Sequence, residues 1–188
     1  MEYSEILRTR RSIRSYEERP VPVELLREMI RESTLAPSSG NNQPWRLVVI
    51  TNGEMMRRIS DESKKNLIAR LEADPGDYIV RYESALRNRE YNVFYNAPAL
   101  VIVAGSRDYR NLLVDCALFA SYFMNAAAAR GLGTCWVNLG SDVRDPGLRA
   151  ELGLSDDDRI VAPIIIGYPR AIPAAPIRRE PDIIRIIE

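Results

Sequence analysis

The sequence predicts a single domain that mixes helices and strands, of the α+β class. Its 188 residues suffice for one domain with a sizeable core. Hydrophobic residues make up 46% and charged residues 28%, the balance of a soluble globular protein. Segments rich in β-branched residues alternate with segments of helical periodicity, and no repeat or linker divides residues 1–188.

The first elements are predicted by apolar spacing and by prolines. Residues 2–9 place apolar side chains three and four positions apart, which predicts a short amphipathic helix. A second helix begins at Pro22 and must end before Pro37, because a residue that precedes proline disfavours the helical conformation. The β-branched run WRLVVIT, residues 45–51, predicts a buried strand.

The middle of the chain is more polar. Residues 53–92 predict two helices broken at 74–77, and we interpret residues 53–95 as a lid or flap. The remaining elements are predicted in chain order: a strand over 97–105, a helix over 111–131, strands over 133–140 and 159–169, and an extended tail over 171–188.

The predicted helix over 111–131 is apolar nearly all the way round. Only four polar residues interrupt its surface before Arg130. A helix of this kind is buried on most sides. In so small a chain, this predicts that a partner subunit covers part of it.

The composition excludes several kinds of chemistry. The chain contains no histidine, which removes Ser-His-Asp and Cys-His nucleophiles and histidine-ligated metals. An enzyme without histidine must use other side chains or let a cofactor carry the reaction. Basic and acidic residues both number 26, so no overall charge attracts nucleic acid or an anionic membrane.

Cellular location is predicted from cysteines and apolar runs. Cys116 and Cys135 fit neither a metal spacing nor a redox pair, and we expect both to be buried free thiols, as suits a reducing cytosol. The N-terminal residues have no apolar signal core, and no uninterrupted apolar run is long enough to span a bilayer. A cytoplasmic protein without a membrane segment is therefore expected.

A basic cluster near the N-terminus is a candidate anion site. The segment RTRRSIRSY brings Arg10, Arg11 and Arg14 together around Ser12, and guanidinium and hydroxyl groups in this arrangement suit a phosphate. The alternative, a solvated basic turn, is the commoner meaning of such a cluster. A second basic pair, in PIRREP near the C-terminus, is placed so that it could reach the same phosphate.

The loop PSSGNNQPW, residues 37–45, concentrates hydroxyls and amides beside a tryptophan. These groups donate and accept hydrogen bonds, so the loop is either an elaborate turn or faces a polar ligand. The segment GLGTCW, residues 131–136, is not a dinucleotide-binding fingerprint, because its third glycine is absent and a helix precedes the strand.

Taken together, these motifs resemble the flavin-dependent nitroreductase family. Six occur in the family's order and cover nearly the whole chain except residues 53–92. They are the basic motif RRSIR, the loop PSSGNNQPW, the strand YNAPALVIVAG, the helix end RGLGTCWVNLG, the turn IIIGYP and the basic arm IRREP.

The resemblance implies a nitroreductase-like fold: a mixed, mostly antiparallel sheet flanked by helices. It implies an obligate homodimer in which the C-terminal arm is exchanged onto the partner. Two FMN molecules are expected at the dimer interface, each bound by residues of both chains.

The resemblance also assigns residues to the phosphate and to the flavin ring. Arg10, Ser12 and one of Arg178 or Arg179 resemble the phosphate ligands. Arg11 and Arg14 resemble the groups that face the pyrimidine end of the flavin. Some relatives place a lysine or asparagine at the ribityl chain or O2, for which this sequence offers Lys64, Lys65 and Asn66 without a firm alignment.

Two further segments are assigned to the flavin. The loop residues Pro37, Ser38, Ser39 and Asn41 are expected to line the partner's flavin, while Gln43 and Trp45 hold the loop. The main chain of Trp136, Val137, Asn138 and Leu139 is expected near flavin N5. Tyr78, Tyr82, Tyr91 and Phe94 are candidates to cap the substrate slot, with core packing as the alternative for each.

The implied function is an FMN-dependent oxidoreductase that passes a hydride from NADH or NADPH through flavin N5 to a flat acceptor such as a nitroaromatic or a quinone. The protein residues bind and orient, and none is itself catalytic. Two alternatives stay open. The first is another flavin reaction on the same fold, such as reductive dehalogenation, ene reduction or flavin cleavage. The second is a non-catalytic flavin-binding protein.

Overall fold

The computed structural model describes residues 2–188. Its centre is an antiparallel sheet built from the strands β1 (Arg46–Ile50), β2 (Ala99–Ser106), β3 (Gly133–Trp136) and β4 (Asp158–Gly167). Within the described residues, the strand order is β1-β2-β4-β3, so β1 and β3 are the edges. All three strand pairings are antiparallel.

Helices cover both faces of the sheet. They are α1 (Tyr3–Thr9), α2 (Val23–Ser33), α3 (Gly53–Ala73), α4 (Glu83–Arg87), α5 (Leu112–Ala129) and α6 (Pro146–Glu151). On one face, α2 and α5 form an apolar core with the sheet; on the other, α3, α4 and α6 form a second core. The predicted α+β class and helix-flanked sheet are confirmed.

Strand β2 explains how one sheet serves two cores. Successive side chains of a strand point to opposite faces. Leu100, Ile102 and Ala104 therefore enter the core under α3, while Ala99, Val101 and Val103 enter the core under α5. Every residue of β2 except Ser106 is buried, as the unbroken apolar run in the sequence predicts.

Helix α5 is the apolar helix that bears on the expectation of no membrane segment. By length and composition alone it is a candidate membrane span, with a mean hydropathy of 1.5 over 18 residues. The core helix of a soluble protein passes the same test, and α5 buries Phe119 and Phe123 against the sheet. Its other side exposes Leu113, Val114 and Tyr122.

The predicted strand over 133–140 is correct only in its first half. Strand β3 ends at Trp136, and residues Asn138–Ser141 form a 3-10 helix. Gly140 packs directly on Phe94, whose ring would lie 2.3 Å from a Cβ at this position. The change from strand to 3-10 helix thus coincides with close packing of the chain on Phe94.

Both cysteines are free and buried, as predicted. Burial, and after it the nearby carboxylate of Asp115, raise the pKa of the Cys116 thiol to about 12. Cys116 is therefore a protonated thiol at neutral pH. It packs as a small apolar side chain in α5.

Candidate functional site

The basic segment runs alongside the edge strand β3. Ser12 forms a parallel bridge with Thr134, and the amide of Ile13 donates to the carbonyl oxygen of Thr134 at 2.9 Å. Gly133 permits this approach, because a Cβ there would lie 2.6 Å from the Ile13 side chain. The pairing holds the arginines of the segment against the edge of the sheet.

The groups that affect the Cys135 thiol include three side chains of the basic segment. Burial raises the pKa of the Cys135 thiol; the charge of Arg14, a hydrogen bond with Ser12 and the charge of Arg10 act in the opposite direction. All three act on this thiol, and the backbone bridge between Ser12 and Thr134 places the basic segment beside it. Two cations and a hydroxyl predicted from the sequence to act together are brought together by the fold.

A cavity of about 360 Å³ opens beside Arg14. The Arg14 guanidinium lies 5.8 Å from the centroid of the Tyr95 ring, and the Tyr95 hydroxyl is 3.4 Å from that of Tyr91. The wall thus combines a cation with aromatic rings. Its lining residues are Arg14, Tyr78, Tyr82, Tyr95, Cys135, Trp136, Val137, Asn138 and Leu139.

The last four of these are the residues predicted to present main chain to a flavin. The amide of Val137 donates to the carbonyl oxygen of Pro163 at 2.8 Å, which holds the turn after β3 to β4. The next residues begin a 3-10 helix, whose first amides have no acceptor within the helix. This turn therefore brings the main chain of residues 136–139 to the cavity wall.

Arg10 and Arg11 line a second cavity, of about 270 Å³, with Thr9, Ile13, Ala128, Gly131, Leu132, Gly133, Pro169 and Ile172. Arg11 also donates to the carbonyl oxygen of Arg10 at 2.7 Å. The basic segment thus contributes Arg10 and Arg11 to one cavity and Arg14 to the other. Arg178 and Arg179 lie on the exposed tail and line neither cavity.

The loop over residues 37–41 is a turn held in place by hydrogen bonds to Asp115. The amide of Ser39 donates to both carboxylate oxygens of Asp115 at 3.2 Å, and Tyr109 donates its hydroxyl to Asp115 at 2.8 Å. Gly40 and Asn41 have φ of 57° and 55°, in the left-handed region that glycine and asparagine tolerate. The loop is fixed at the start of α5, away from the two cavities lined by the arginines.

Within the loop, several polar groups bond to one another. Ser38 accepts the amide of Gln43 at 3.0 Å, and the Gln43 side chain donates to Asn41 Oδ1 at 3.2 Å. The Trp45 ring lies 5.1 Å from that of Phe119. Gln43 and Trp45 therefore make contacts that hold the loop. Of the four loop residues assigned to the flavin, Pro37, Ser39 and Asn41 are exposed and Ser38 is half-buried.

The three mid-chain candidates make contacts of their own. Lys64 is buried and donates to the carbonyl oxygens of Asn88 and Tyr91 at 2.9 and 2.8 Å. Asn66 donates to the carbonyl oxygen of Asp142 at 2.8 Å, and Lys65 is exposed beside Glu62. Lys64 and Asn66 thus support segments that flank the cavity beside Arg14.

Two cavity residues are absent from the sequence prediction, and two of the aromatic capping candidates, Tyr91 and Phe94, do not line the cavity. Tyr95 and Cys135 line the cavity, whereas Phe94 is fully buried under Gly140 in the core. Tyr95 stands in the YNAP motif, four residues after Tyr91, so its position in the sequence could have identified it as a cavity residue. For Phe94, the core alternative is correct.

Glu62 of α3 anchors the segment that follows the cavity wall. It accepts the side-chain amide of Asn66 at 2.7 Å and the amide of Asp145 at 3.0 Å. Burial raises the pKa of this carboxyl, but the hydrogen bonds outweigh it and the net pKa is lowered. Its stabilisation is therefore present above the unfolded pKa near 4.5 and is lost as pH falls through the folded value.

We expect Glu62→Gln to lower the free energy of unfolding by about 1 kcal/mol at pH 7, because a neutral acceptor replaces a charged one. The difference should shrink as the pH falls from the unfolded pKa through the lower folded value, because the folded wild-type carboxyl then becomes protonated. Urea unfolding of both proteins at several pH values measures it. A difference that stays constant or grows towards acid pH would contradict the assigned role.

Comparison with known proteins identifies the family of this chain. The nitroreductase family model matches residues 7–168. Nitrobenzene nitroreductase of Ectopseudomonas oleovorans is 30% identical over 195 residues, which cover 87% of this chain and 85% of that protein. The chain belongs to the nitroreductase family.

Solved structures of nitroreductases have folds similar to that of this chain. The nitroreductase with bound FMN from Bacteroides fragilis NCTC 9343 has a TM-score of 0.84 at 25% identity, with 100% of each chain covered. A mutant of the FMN and NADPH-dependent nitroreductase NfnB from Sphigopyxis sp. strain HMH has a TM-score of 0.71 at 25% identity, covering 94% of this chain and 95% of that one. These likenesses confirm the nitroreductase-like fold.

Proposed function

We propose that this protein is an FMN-dependent oxidoreductase that takes electrons from NADH or NADPH and passes them to a flat acceptor such as a nitroaromatic or a quinone. The observation that carries the proposal is the convergence of Arg10, Ser12 and Arg14 on the edge of β3, beside an aromatic cavity. Names of relatives support it: a nitrobenzene nitroreductase, an FMN-bound nitroreductase and an NADPH-dependent enzyme. We also infer a cytoplasmic location.

The residues present fit FMN. Arg10 and Ser12 offer a guanidinium and a hydroxyl at one end of the basic segment, the donors that a phosphate dianion requires. Arg14, tyrosine rings and the backbone after β3 form a cavity wall that suits a flat, polar-edged ring. Arg178 or Arg179 would complete the phosphate site if the tail folds back over the basic segment.

When bound, FMN supplies hydride transfer at N5, and the chain's own residues bind, orient and exclude water. Arg14 would place positive charge beside the ring, since it lines this cavity. The turn over residues 136–139 offers main-chain donors, and the tyrosines shield the cavity. The donor and the acceptor would occupy one slot in turn, which predicts ping-pong kinetics.

We further propose that the protein is a homodimer with shared sites. Two apolar surfaces support this: the side of α5 around Val114 and Tyr122, and the side of α1 around Tyr3 and Leu7. Exposed apolar side chains grouped on one side of a helix favour contact with a partner. The Asp115 anchor places the 37–41 loop beside the α5 surface, where it would meet the partner's flavin.

The tail supports exchange between the two chains. Ile177 and Ile184 are 99% and 95% exposed in the single chain, although isoleucine is among the most often buried residues. Strand β1 is a sheet edge with one unpaired side. An extended segment can add to such an edge through main-chain hydrogen bonds, and the partner's tail is the segment that we assign to it.

The test is anaerobic reduction of purified, FMN-loaded protein. NADH or NADPH should bleach the yellow absorbance, and a nitroaromatic or quinone should restore it. Bleaching without recovery by any flat acceptor would favour another flavin reaction. Stable yellow protein that neither donor bleaches would favour a non-catalytic flavin-binding protein and would overturn the proposal.

We expect Arg14→Ala to lower the two-electron potential of bound FMN by about 20–60 mV, which corresponds to a loss of about 1–3 kcal/mol. Reduction places negative charge near the pyrimidine ring, and Arg14 is the cation that lines this cavity. Redox titration measures the change. Arg14→Lys, which keeps the charge, should recover most of the potential; an unchanged or higher value in Arg14→Ala would remove Arg14 from this role.

A further inference from the structure

A tight turn folds the end of α3 back on itself. The amide of Asp77 donates to the carbonyl oxygen of Asp74 at 3.1 Å, with Pro75 and Gly76 between them. The reversal brings the Asp77 carboxylate against Arg70, in the last turn of α3. Nη2 and Nε of Arg70 contact Oδ2 of Asp77 at 2.5 and 2.6 Å. This is a two-point, charge-assisted contact.

The same carboxylate fixes the next element. The other oxygen of Asp77 accepts the amide of Ile79 at 3.0 Å and so caps the 3-10 helix Tyr78–Tyr82. Ile79 is fully buried and anchors that helix in the core. Tyr78 stands between the cap and the anchor, so its backbone is held from both sides.

The pKa of the Asp77 carboxyl is lowered, first by the Ile79 amide and also by Arg70. The group is therefore an anion at neutral pH, and the pair with Arg70 is intact under physiological conditions.

The Tyr78 ring lies at the junction of two cavities. One is the 360 Å³ cavity beside Arg14; the other, of about 440 Å³, is lined partly by Arg70. Tyr78, Trp136, Asn138 and Leu139 belong to both. Tyr78 is 54% exposed, so core packing does not account for its position. The Arg70 guanidinium lies 5.4 Å from its ring centroid.

We propose that Arg70 and Asp77 are positioning residues that hold Tyr78 as an aromatic wall at this junction, where its ring stacks on a flat aromatic acceptor. The proposal rests on the proposed function, since the first cavity is the one assigned to FMN. Because the charge of Arg70 is paired with Asp77, its contribution is the placement of the ring. The ring then favours acceptors with an aromatic face.

The test compares four variants with wild type. Asp77→Asn removes the ion pair but keeps a good cap, because asparagine caps helices as well as aspartate. Tyr78→Ala removes the ring and Tyr78→Phe keeps it. Arg87→Met is the matched control, because Arg87 forms an ion pair with Glu83 at 2.9 Å in the neighbouring helix and lines neither cavity.

The first measurement is hydrogen exchange over residues 74–82, made without any ligand. Asp77→Asn should exchange faster there than wild type, and Arg87→Met should not. The second is the equilibrium dissociation constant of nitrobenzene, from the absorbance of oxidised, FMN-loaded protein. Asp77→Asn and Tyr78→Ala should raise this constant about threefold to tenfold, while Tyr78→Phe should match wild type.

The proposal is overturned if Asp77→Asn changes neither quantity, if Arg87→Met changes them equally, or if Tyr78→Phe loses as much affinity as Tyr78→Ala. Failure of the proposed function is separate. In that case neither NADH nor NADPH reduces wild type, while the hydrogen-exchange comparison still decides whether the ion pair holds Tyr78.

Discussion

Two inactive variants should restore activity when they are combined in one dimer. Arg10→Glu should repel the phosphate that its own chain binds, and Ser39→Trp should block the partner's flavin slot. Each homodimer should then be nearly free of flavin. A mixed dimer carries one doubly damaged site and one intact site, so activity should return to at most about half, because the two defects act at separate positions.

Ser39 is preferred to its neighbour Asn41 for this block. Asn41 has a φ of 55°, so a bulky residue there would strain the backbone. Ser39 is exposed, and the hydrogen bonds from its backbone amide to Asp115 do not involve its side chain. The two variants should be co-expressed with different tags, purified as mixed dimers, and assayed for bound FMN and for turnover.

The same substitutions provide their own control. When Arg10→Glu and Ser39→Trp are in one chain and the partner is wild type, each site of the mixed dimer carries one defect and no activity should appear. Activity in this arrangement and none when the two substitutions are on different chains, or a stable monomer with full FMN, would show that sites are not shared between chains.

Arg10→Ala should weaken FMN binding by roughly 2–4 kcal/mol, because it removes one charge-assisted partner from a dianionic phosphate. Riboflavin lacks the phosphate, so its affinity should be nearly the same for wild type and variant. Titration of the protein without cofactor, followed by flavin fluorescence, measures both ligands.

Arg8→Ala is the control, since Arg8 is an exposed arginine in the last turn of α1 that lines neither arginine cavity. It should bind FMN as wild type does. Loss of riboflavin affinity in Arg10→Ala, as large as the loss for FMN, would mean that Arg10 supports the fold or the ring and does not bind phosphate.

Much of the local structure was predictable from the sequence. The β-branched run before Ser106 forms β2, and the break at residues 74–77 falls where proline and glycine indicate a turn. The spacing of arginines around Ser12 predicted a cluster, and β3 pairing brings those side chains together. These features depend on neighbours along the chain, which a sequence displays directly.

The sequence did not predict contacts that depend on distant segments. Phe94 and Tyr95 are adjacent aromatics, yet one is buried under Gly140 and the other lines the cavity. The loop over residues 37–41 depends on Asp115, more than 70 positions away, and the bend after Trp136 coincides with the same Phe94 packing. The family motifs determined the cofactor that the chain is expected to bind. Only the tertiary structure decided which tyrosines wall the cavity, because the side chains that meet there come from separate segments and leave no periodic pattern in the sequence.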